Sequence, residues 1–316
     1  MSTQPRILCV AGPTACGKTR MGVLLAKRFS GEVVSVDSMQ IYQGMSVGTA
    51  APSWQEMEDV PHHMVAIADP VENWSAARFV QAADQYIQNI LSRGKLPVLV
   101  GGTGLYLDAI VAGLTFAPGA SGGAVRQALQ EELEAAGVEP LLEELRRVDP
   151  QSAARLHPAD TRRVLRALEV YRETGRTISQ HNRETRARPP RYAAAWVGLG
   201  YEDRADLRAA IGQRVDGMLA AGLLEEVRAL TERGVPREST AMQAIGYKEL
   251  LGVLAGERSA EEAAEEIKLR TCQYAKRQMT WLRRNRDIFW ILWKKERDFA
   301  LALQKATEFL TSQGLQ

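Results

Sequence analysis

The octapeptide Gly12-Pro13-Thr14-Ala15-Cys16-Gly17-Lys18-Thr19 constrains this chain more than any other feature, because it is a full G-x-x-x-x-G-K-[ST]. It follows the apolar run at residues 7–11 and opens a stretch with helical periodicity at residues 18–29. That strand–loop–helix context makes the motif a phosphate cradle. The glycines let the backbone wrap a phosphate, the helix N-terminus and Lys18 supply positive charge, and Thr19 offers a hydroxyl to Mg2+. The motif reads a diphosphate without saying whose.

The organisation around it follows a βα rhythm. A second strand is expected at residues 32–37, a third at 64–67 and another at 97–101, with Ser75 capping a helix from Ala76 to about Arg93. Strands alternating with helices predict an α/β fold, a parallel sheet with helices on both faces. From residue 116 to residue 192 only helical periodicity remains. The loop at residues 118–123 opens this stretch and Arg188-Pro189-Pro190-Arg191 closes it, which marks an inserted all-helical domain. The expected division is therefore core residues 1–115, insertion 116–192, and core again 193–316. The sheet resumes at residues 193–199 and has a last strand at 288–292. Ser259 and Glu262 form a capping box for a helix from Ala260 to about Arg284. Ile267, Tyr274 and Trp281 recur every seven residues along it and read as core packing rather than as a binding stripe.

Composition narrows the setting. Hydrophobic residues at 45% and charged residues at 25% are ordinary for a globular protein with a real core. No stretch approaches the roughly 20 apolar residues of a membrane span, and the polar start runs straight into a strand, so neither membrane nor signal peptide is expected. Cys9, Cys16 and Cys272 are scattered, without a C-x-x-C pair, which fits a reducing cytoplasm and neither a disulfide framework nor a zinc site. A net charge of +2 is uninformative, but its distribution is not. Residues 155–191 hold ten arginines against four acids, and residues 270–286 hold five arginines and one lysine with no acid. Such segregation suits a polyanion partner, and equally suits solvated helix faces.

Asp37 stands at the carboxyl end of the second strand, where open α/β sheets bind ligands, beside Ser38, Gln40 and Tyr42. It reads as a general base or as a turn cap. The strand at 98–100 ends in Gly101-Gly102-Thr103-Gly104, not in the aspartate with which most P-loop NTPases hold Mg2+. His62 and His63 are adjacent, so in a strand they face opposite ways and cannot share a metal. Trp54, Trp74 and Tyr42 are able to stack on bases, with packing as the default, and Cys16 reads as an inert thiol.

Taken together, residues 12–19, Asp37-Ser38-Met39-Gln40-Ile41-Tyr42, Gly101-Gly102-Thr103-Gly104-Leu105-Tyr106 and Arg166-Ala167-Leu168-Glu169-Val170-Tyr171 resemble the bacterial tRNA dimethylallyltransferases. So do Gln243-Ala244-Ile245-Gly246-Tyr247-Lys248 and Tyr274-Ala275-Lys276-Arg277-Gln278, and the blocks run in the family's order from residue 7 to about 290. The chain departs at Cys16 and in the linker at 120–123, with no catalytic group lost. The cysteine-free tail after Trp293 lacks the zinc finger of some eukaryotic members. The resemblance implies dimethylallyl diphosphate in the P-loop, Mg2+ at Thr19, and Asp37 accepting the proton of an adenine amine. It also implies Lys18, Arg214 and Thr103 against the leaving diphosphate. Contacts to tRNA are implied for Asp37, Ser38, Met39, Gln40, Thr103, Arg162, Arg163, Val164, Leu165, Arg166 and Gln243, and for Ala244, Ile245, Gly246, Tyr247 and Lys248. The implied product is N6-(dimethylallyl)adenosine at position 37 of tRNAs reading UNN codons, made by a cytoplasmic monomer. Two other readings stand beside it. One is a P-loop kinase in which Asp37 activates a metabolite hydroxyl, against which the missing metal-holding aspartate and the arginine-rich insertion count. The other is a nucleotide-gated RNA-binding protein, against which Asp37 counts.

Overall fold

A computed structural model describes residues 4–117 and 123–316. The linker expected at 118–123 lies, except for Gly123, outside the described residues. The chain divides into two compact units, Met1–Val111 with Arg191–Gln316, and Ala112–Pro190.

The first unit is built on β1 (Arg6–Ala11), β2 (Gly31–Val36), β3 (His62–His63), β4 (Leu96–Gly101), β5 (Ala193–Tyr201) and β6 (Ile288–Trp293). These form one six-stranded sheet in the order β3-β2-β4-β1-β5-β6, every neighbouring pair parallel. Parallel sheets are covered on both faces, so their strands are apolar throughout rather than alternating. In β1, Ile7, Cys9 and Ala11 enter the core on one face while Leu8 and Val10 enter the core on the other. The helices Ala76–Ser92, Gly104–Ala112, Arg204–Ala220 and Ala260–Leu282 cover the first face; Lys18–Arg28 and Phe299–Ser312 cover the second. Ser75 and Ser259 cap their helices by accepting from Arg78 N and Glu262 N.

The register brings Ala11 opposite both Gly101 and Gly198, and Val36 opposite Gly101. The carboxyl ends of the central strands are therefore level and share one edge, where a parallel sheet binds its ligands. Gly101 is required there, since a Cβ would overlap the Val36 carbonyl. The third strand differs from expectation. It is only His62–His63, because Met64 and Ala66 turn to positive φ (62° and 51°) and break the extended run. Beyond it, Ala68 forms an isolated parallel bridge with Tyr42, outside the sheet.

In the second unit, the helices Ala124–Ala136, Glu139–Val148, Pro150–Ala153, Thr161–Thr174 and Ile178–Arg186 surround a core of Leu129, Leu141, Leu142, Leu145, Val164, Leu165 and Leu168. Arg172 pairs with both Glu132 and Glu144, so it ties three of these helices together.

Candidate active site

The phosphate-binding loop turns through Ala15 and Gly17, both left-handed at φ 61° and 85°. Its carbonyls are gripped from behind. The Ala15 carbonyl accepts Arg297 Nη2 at 2.6 Å, and the Cys16 carbonyl accepts Trp293 Nε1 at 2.8 Å. Phe299 packs so closely on Gly17 that a Cβ would meet its ring at 2.8 Å. Within the site, Thr14 N donates to Gln278 Oε1 at 2.9 Å and Lys18 Nζ donates to the Pro13 carbonyl at 2.6 Å. Burial raises the Cys16 thiol above its ordinary range, which keeps it protonated and unreactive.

Two half-buried cations, Lys18 and Arg214, face the same space. Burial lowers Lys18, with the Arg214 guanidinium adding to the effect, and burial likewise lowers Arg214, which the Asp37 carboxylate opposes. Neither forms an ion pair with a described residue. Two partly desolvated like charges without a carboxylate partner favour an anion between them.

A cavity of about 350 Å³ opens at the level strand ends. Thr14, Lys18, Thr19, Asp37 and Arg214 line it, with Ser38, Met39 and Gln40 beside them. Asp37 Oδ1 accepts Met39 N at 2.9 Å and Gln40 N at 3.4 Å, so the aspartate caps its turn and borders the cavity at once. The Gln40 amide is engaged inside the protein. Its Oε1 accepts the Ser35 hydroxyl at 2.8 Å, and its Nε2 donates to the carbonyls of Thr49 and Ala50 at 3.3 and 3.2 Å. Part of the lining is apolar, formed by Val215, Met218, Leu223 and Ile267, with Tyr274 among them. Burial and the nearby Asp37 charge push the Tyr274 hydroxyl up to about 12.

Gln243, Ala244, Ile245 and Gly246 also line the cavity, but their neighbours do not. Tyr247 is buried with its hydroxyl on Glu226, and Lys248 points to solvent. Gly12, Pro13, Ala15, Cys16 and Gly17 shape the loop without forming the wall. Thr103 does not line the cavity, and its hydroxyl is buried without a hydrogen-bond partner among the described residues. In the helical unit, Val164 and Leu165 are buried at 0% and 4% exposure, so their side chains are core and not RNA contacts. Arg162 is exposed, Arg163 pairs with Asp160, and Arg166 pairs with Glu169 and donates to the Ala117 carbonyl.

Several wall residues escaped the sequence reading. Ile267, Thr271, Tyr274 and Gln278 present one face of the helix Ala260–Leu282 to the cavity, and their spacing is the same as that of core residues. Only Trp281 of the seven-residue series packs purely as expected, against Gly104, with Nε1 on Asp108 at 2.8 Å. The histidines do face opposite ways. His62 lines the cavity, lowered by burial, and His63 meets Glu32 at 2.8 Å. Trp54 is 85% exposed, whereas Tyr42 is buried and accepts Trp74 N at 3.4 Å.

A family model described as IPP transferase matches residues 40–285, and one described as isopentenyl transferase matches residues 5–67. The chain is 47% identical over 305 residues to tRNA dimethylallyltransferase 1 of Pelobacter propionicus, covering 96% of this chain and 97% of that one. It is 44% identical over 305 residues to the tRNA dimethylallyltransferase of Geobacillus thermodenitrificans, covering 96% of each. Among solved structures it resembles the tRNA isopentenylpyrophosphate transferase of Bacillus halodurans, with a TM-score of 0.72, 38% identity and 98% and 96% of the two chains covered. It also resembles a eukaryotic dimethylallyltransferase acting on tRNA, with a TM-score of 0.82, 29% identity and 98% and 80% covered.

Proposed function

The chain belongs to the IPP transferase family of tRNA dimethylallyltransferases, and from that premise we propose that it prenylates adenosine 37, beside the anticodon, in tRNAs reading UNN codons. The observation that carries the reading is the shared cavity, in which two half-buried cations without a carboxylate partner stand with Asp37 at the edge of the sheet. Lys18 and Arg214 hold the diphosphate of dimethylallyl diphosphate and stabilise the charge that develops as it leaves. The adenine amine is a weak nucleophile, its lone pair delocalised into the ring, so Asp37 accepts its proton as the new bond forms. The N6–C bond forms, the C–O bond to diphosphate breaks, and the proton passes to Asp37. The target base leaves its stack to enter. The apolar wall excludes water, which otherwise competes for the prenyl group.

Mg2+ fits this donor set. It takes few protein ligands and completes its shell with phosphate oxygens and water, and Thr19 supplies a hydroxyl on the wall. When bound it neutralises diphosphate charge. Of the implied RNA surface, Arg162, Arg163, Gln243 and Lys248 are exposed, and Asp37 to Gln40 and Gln243 to Gly246 line the cavity. No helix among the described residues is long and apolar enough to cross a membrane; we place the protein in the cytoplasm with its tRNA, as a monomer.

The test separates prenyl from phosphoryl transfer. Purified protein, Mg2+ and bulk tRNA are incubated with prenyl-labelled dimethylallyl diphosphate or with γ-labelled ATP. Label from the first should enter tRNA at adenosine 37 without ATP, and should fail to enter a tRNA carrying guanosine there. Phosphate from ATP on a small molecule, with no prenyl label in RNA, means that the chain is a kinase.

A further inference from the structure

Glu226 lies on the helix Leu223–Glu232, outside the cavity wall, yet four groups at the rim of the site converge on its carboxylate. Oε1 accepts Gly48 N at 2.9 Å and the Tyr247 hydroxyl at 2.5 Å. Oε2 accepts Val47 N at 2.8 Å and the Ser46 hydroxyl at 3.4 Å. These amides open the one-turn helix Ser46–Thr49, which is too short to hold its own shape. Gly48 is pressed against Tyr247 and Leu223 so tightly that a Cβ would come within 2.6 Å of both. The turn is thus clamped, and what it presents is the Thr49 carbonyl. That oxygen accepts Arg214 Nη2 at 3.3 Å and Gln40 Nε2 at 3.3 Å. It is the hydrogen-bond acceptor the structure gives the Arg214 guanidinium, which has no carboxylate partner among the described residues.

We propose that Glu226 is a positioning residue for diphosphate binding, acting through the Ser46–Thr49 turn to aim Arg214 into the cavity. The proposal rests on the reading of Arg214 as a diphosphate ligand. A free arginine side chain samples many rotamers, and holding it before the ligand arrives removes the cost of ordering it from binding. Without the carboxylate, the amides of Val47 and Gly48 and the Tyr247 hydroxyl lose their common acceptor. The turn then loosens, and Arg214 loses the fixed point that orients it. Tyr247, which the family pattern places at the RNA, is by this geometry part of the same clamp.

The experiment is a double-mutant cycle in the full chain, reading kcat/KM for dimethylallyl diphosphate at saturating tRNA. Glu226→Gln should lower it on the order of 10-fold, below the roughly 10²-fold that a 1 Å misplacement of a reacting group costs. Tyr247→Phe, which removes one bond of the clamp and keeps its volume, should lower it in the same direction by less. In an Arg214→Ala background neither change should reduce kcat/KM further, because residues that act through one another are not additive. Losses that multiply in the double variants overturn the proposal, as does an unchanged kcat/KM in both single variants. Calorimetric binding of inorganic pyrophosphate provides the second readout and needs no turnover. Arg214→Ala weakening pyrophosphate while Glu226→Gln and Tyr247→Phe leave it intact rejects the clamp alone. Arg214→Ala leaving pyrophosphate binding intact rejects the reading of the site itself. Should Glu226→Gln fail to fold by circular dichroism, the Tyr247→Phe cycle decides.

Discussion

Asp37 uses one carboxylate oxygen to hold the amides of Met39 and Gln40, and its second oxygen makes no hydrogen bond to a described residue. Asn keeps the first function and loses the second. Asp37→Asn should therefore lower single-turnover prenyl transfer by about 10²-fold or more while leaving pyrophosphate and tRNA affinity nearly unchanged. Near-normal turnover would reduce Asp37 to a turn cap. Its position was legible in the sequence, because the residue that follows a parallel strand lands on the ligand-binding edge, and Asp37 follows the end of β2 at Val36. Gln40 was not legible in the same way. The family pattern assigns it to RNA, but whether its amide is available depends on Ser35, Thr49 and Ala50, and those partners are settled by folding. Glu226 left no local trace at all, since its partners lie on the distant turn Ser46–Thr49 and at Tyr247.

Helices read well as helices and badly as surfaces. The capping serines placed the starts of Ala76–Ser92 and Ala260–Leu282, yet the heptad series on the second does not show which of its buried positions border a cavity. A helix face looks alike in sequence whether it meets a core or a ligand. The helix Thr161–Thr174 sorts its own arginines more clearly. Arg166 is committed to Glu169 and Ala117, whereas Arg162 is exposed and Arg163 holds only an exposed pair with Asp160, worth little. Replacing Arg162 and Arg163 by alanine should weaken tRNA binding and flatten its slope against log salt by one to two units, at roughly 0.7 to 0.9 per phosphate contact. Equilibrium binding across a salt series measures this. An unchanged slope, with helicity intact, assigns both arginines to a solvated face.

Across the whole molecule, the βα alternation gave the class of fold, but the order β3-β2-β4-β1-β5-β6 depends on pairings between distant segments that no local pattern records. The two ends of β2 also divide the labour of the domain, with the site at Asp37 and a structural ion cluster at Glu32. The Glu32 carboxylate, buried, accepts Arg93 at 2.5 and 2.7 Å, Lys95 at 2.9 Å and His63 at 2.8 Å. The Arg93 hydrogen bonds, with those of Lys95 and His63, hold it well below the usual carboxylate range. A depressed folded-state pKa contributes stability that is full above the unfolded value of about 4.3 and is lost as pH falls below it. Glu32→Gln should accordingly lower Tm at pH 7, and the gap to the parent protein should narrow between about pH 5 and pH 3. A gap independent of pH would mean that packing, not charge, is what Glu32 contributes.

The loop at residues 12–19 is made early in synthesis, while the side chains that grip its backbone, Trp293 and Arg297, follow nearly three hundred residues later, with β6 and the segment after it. For most of its time on the ribosome the nascent chain therefore carries the phosphate motif without the hands that shape it. The loop takes its final shape only when the last strand seats at the edge of the sheet and brings these two side chains to its carbonyls.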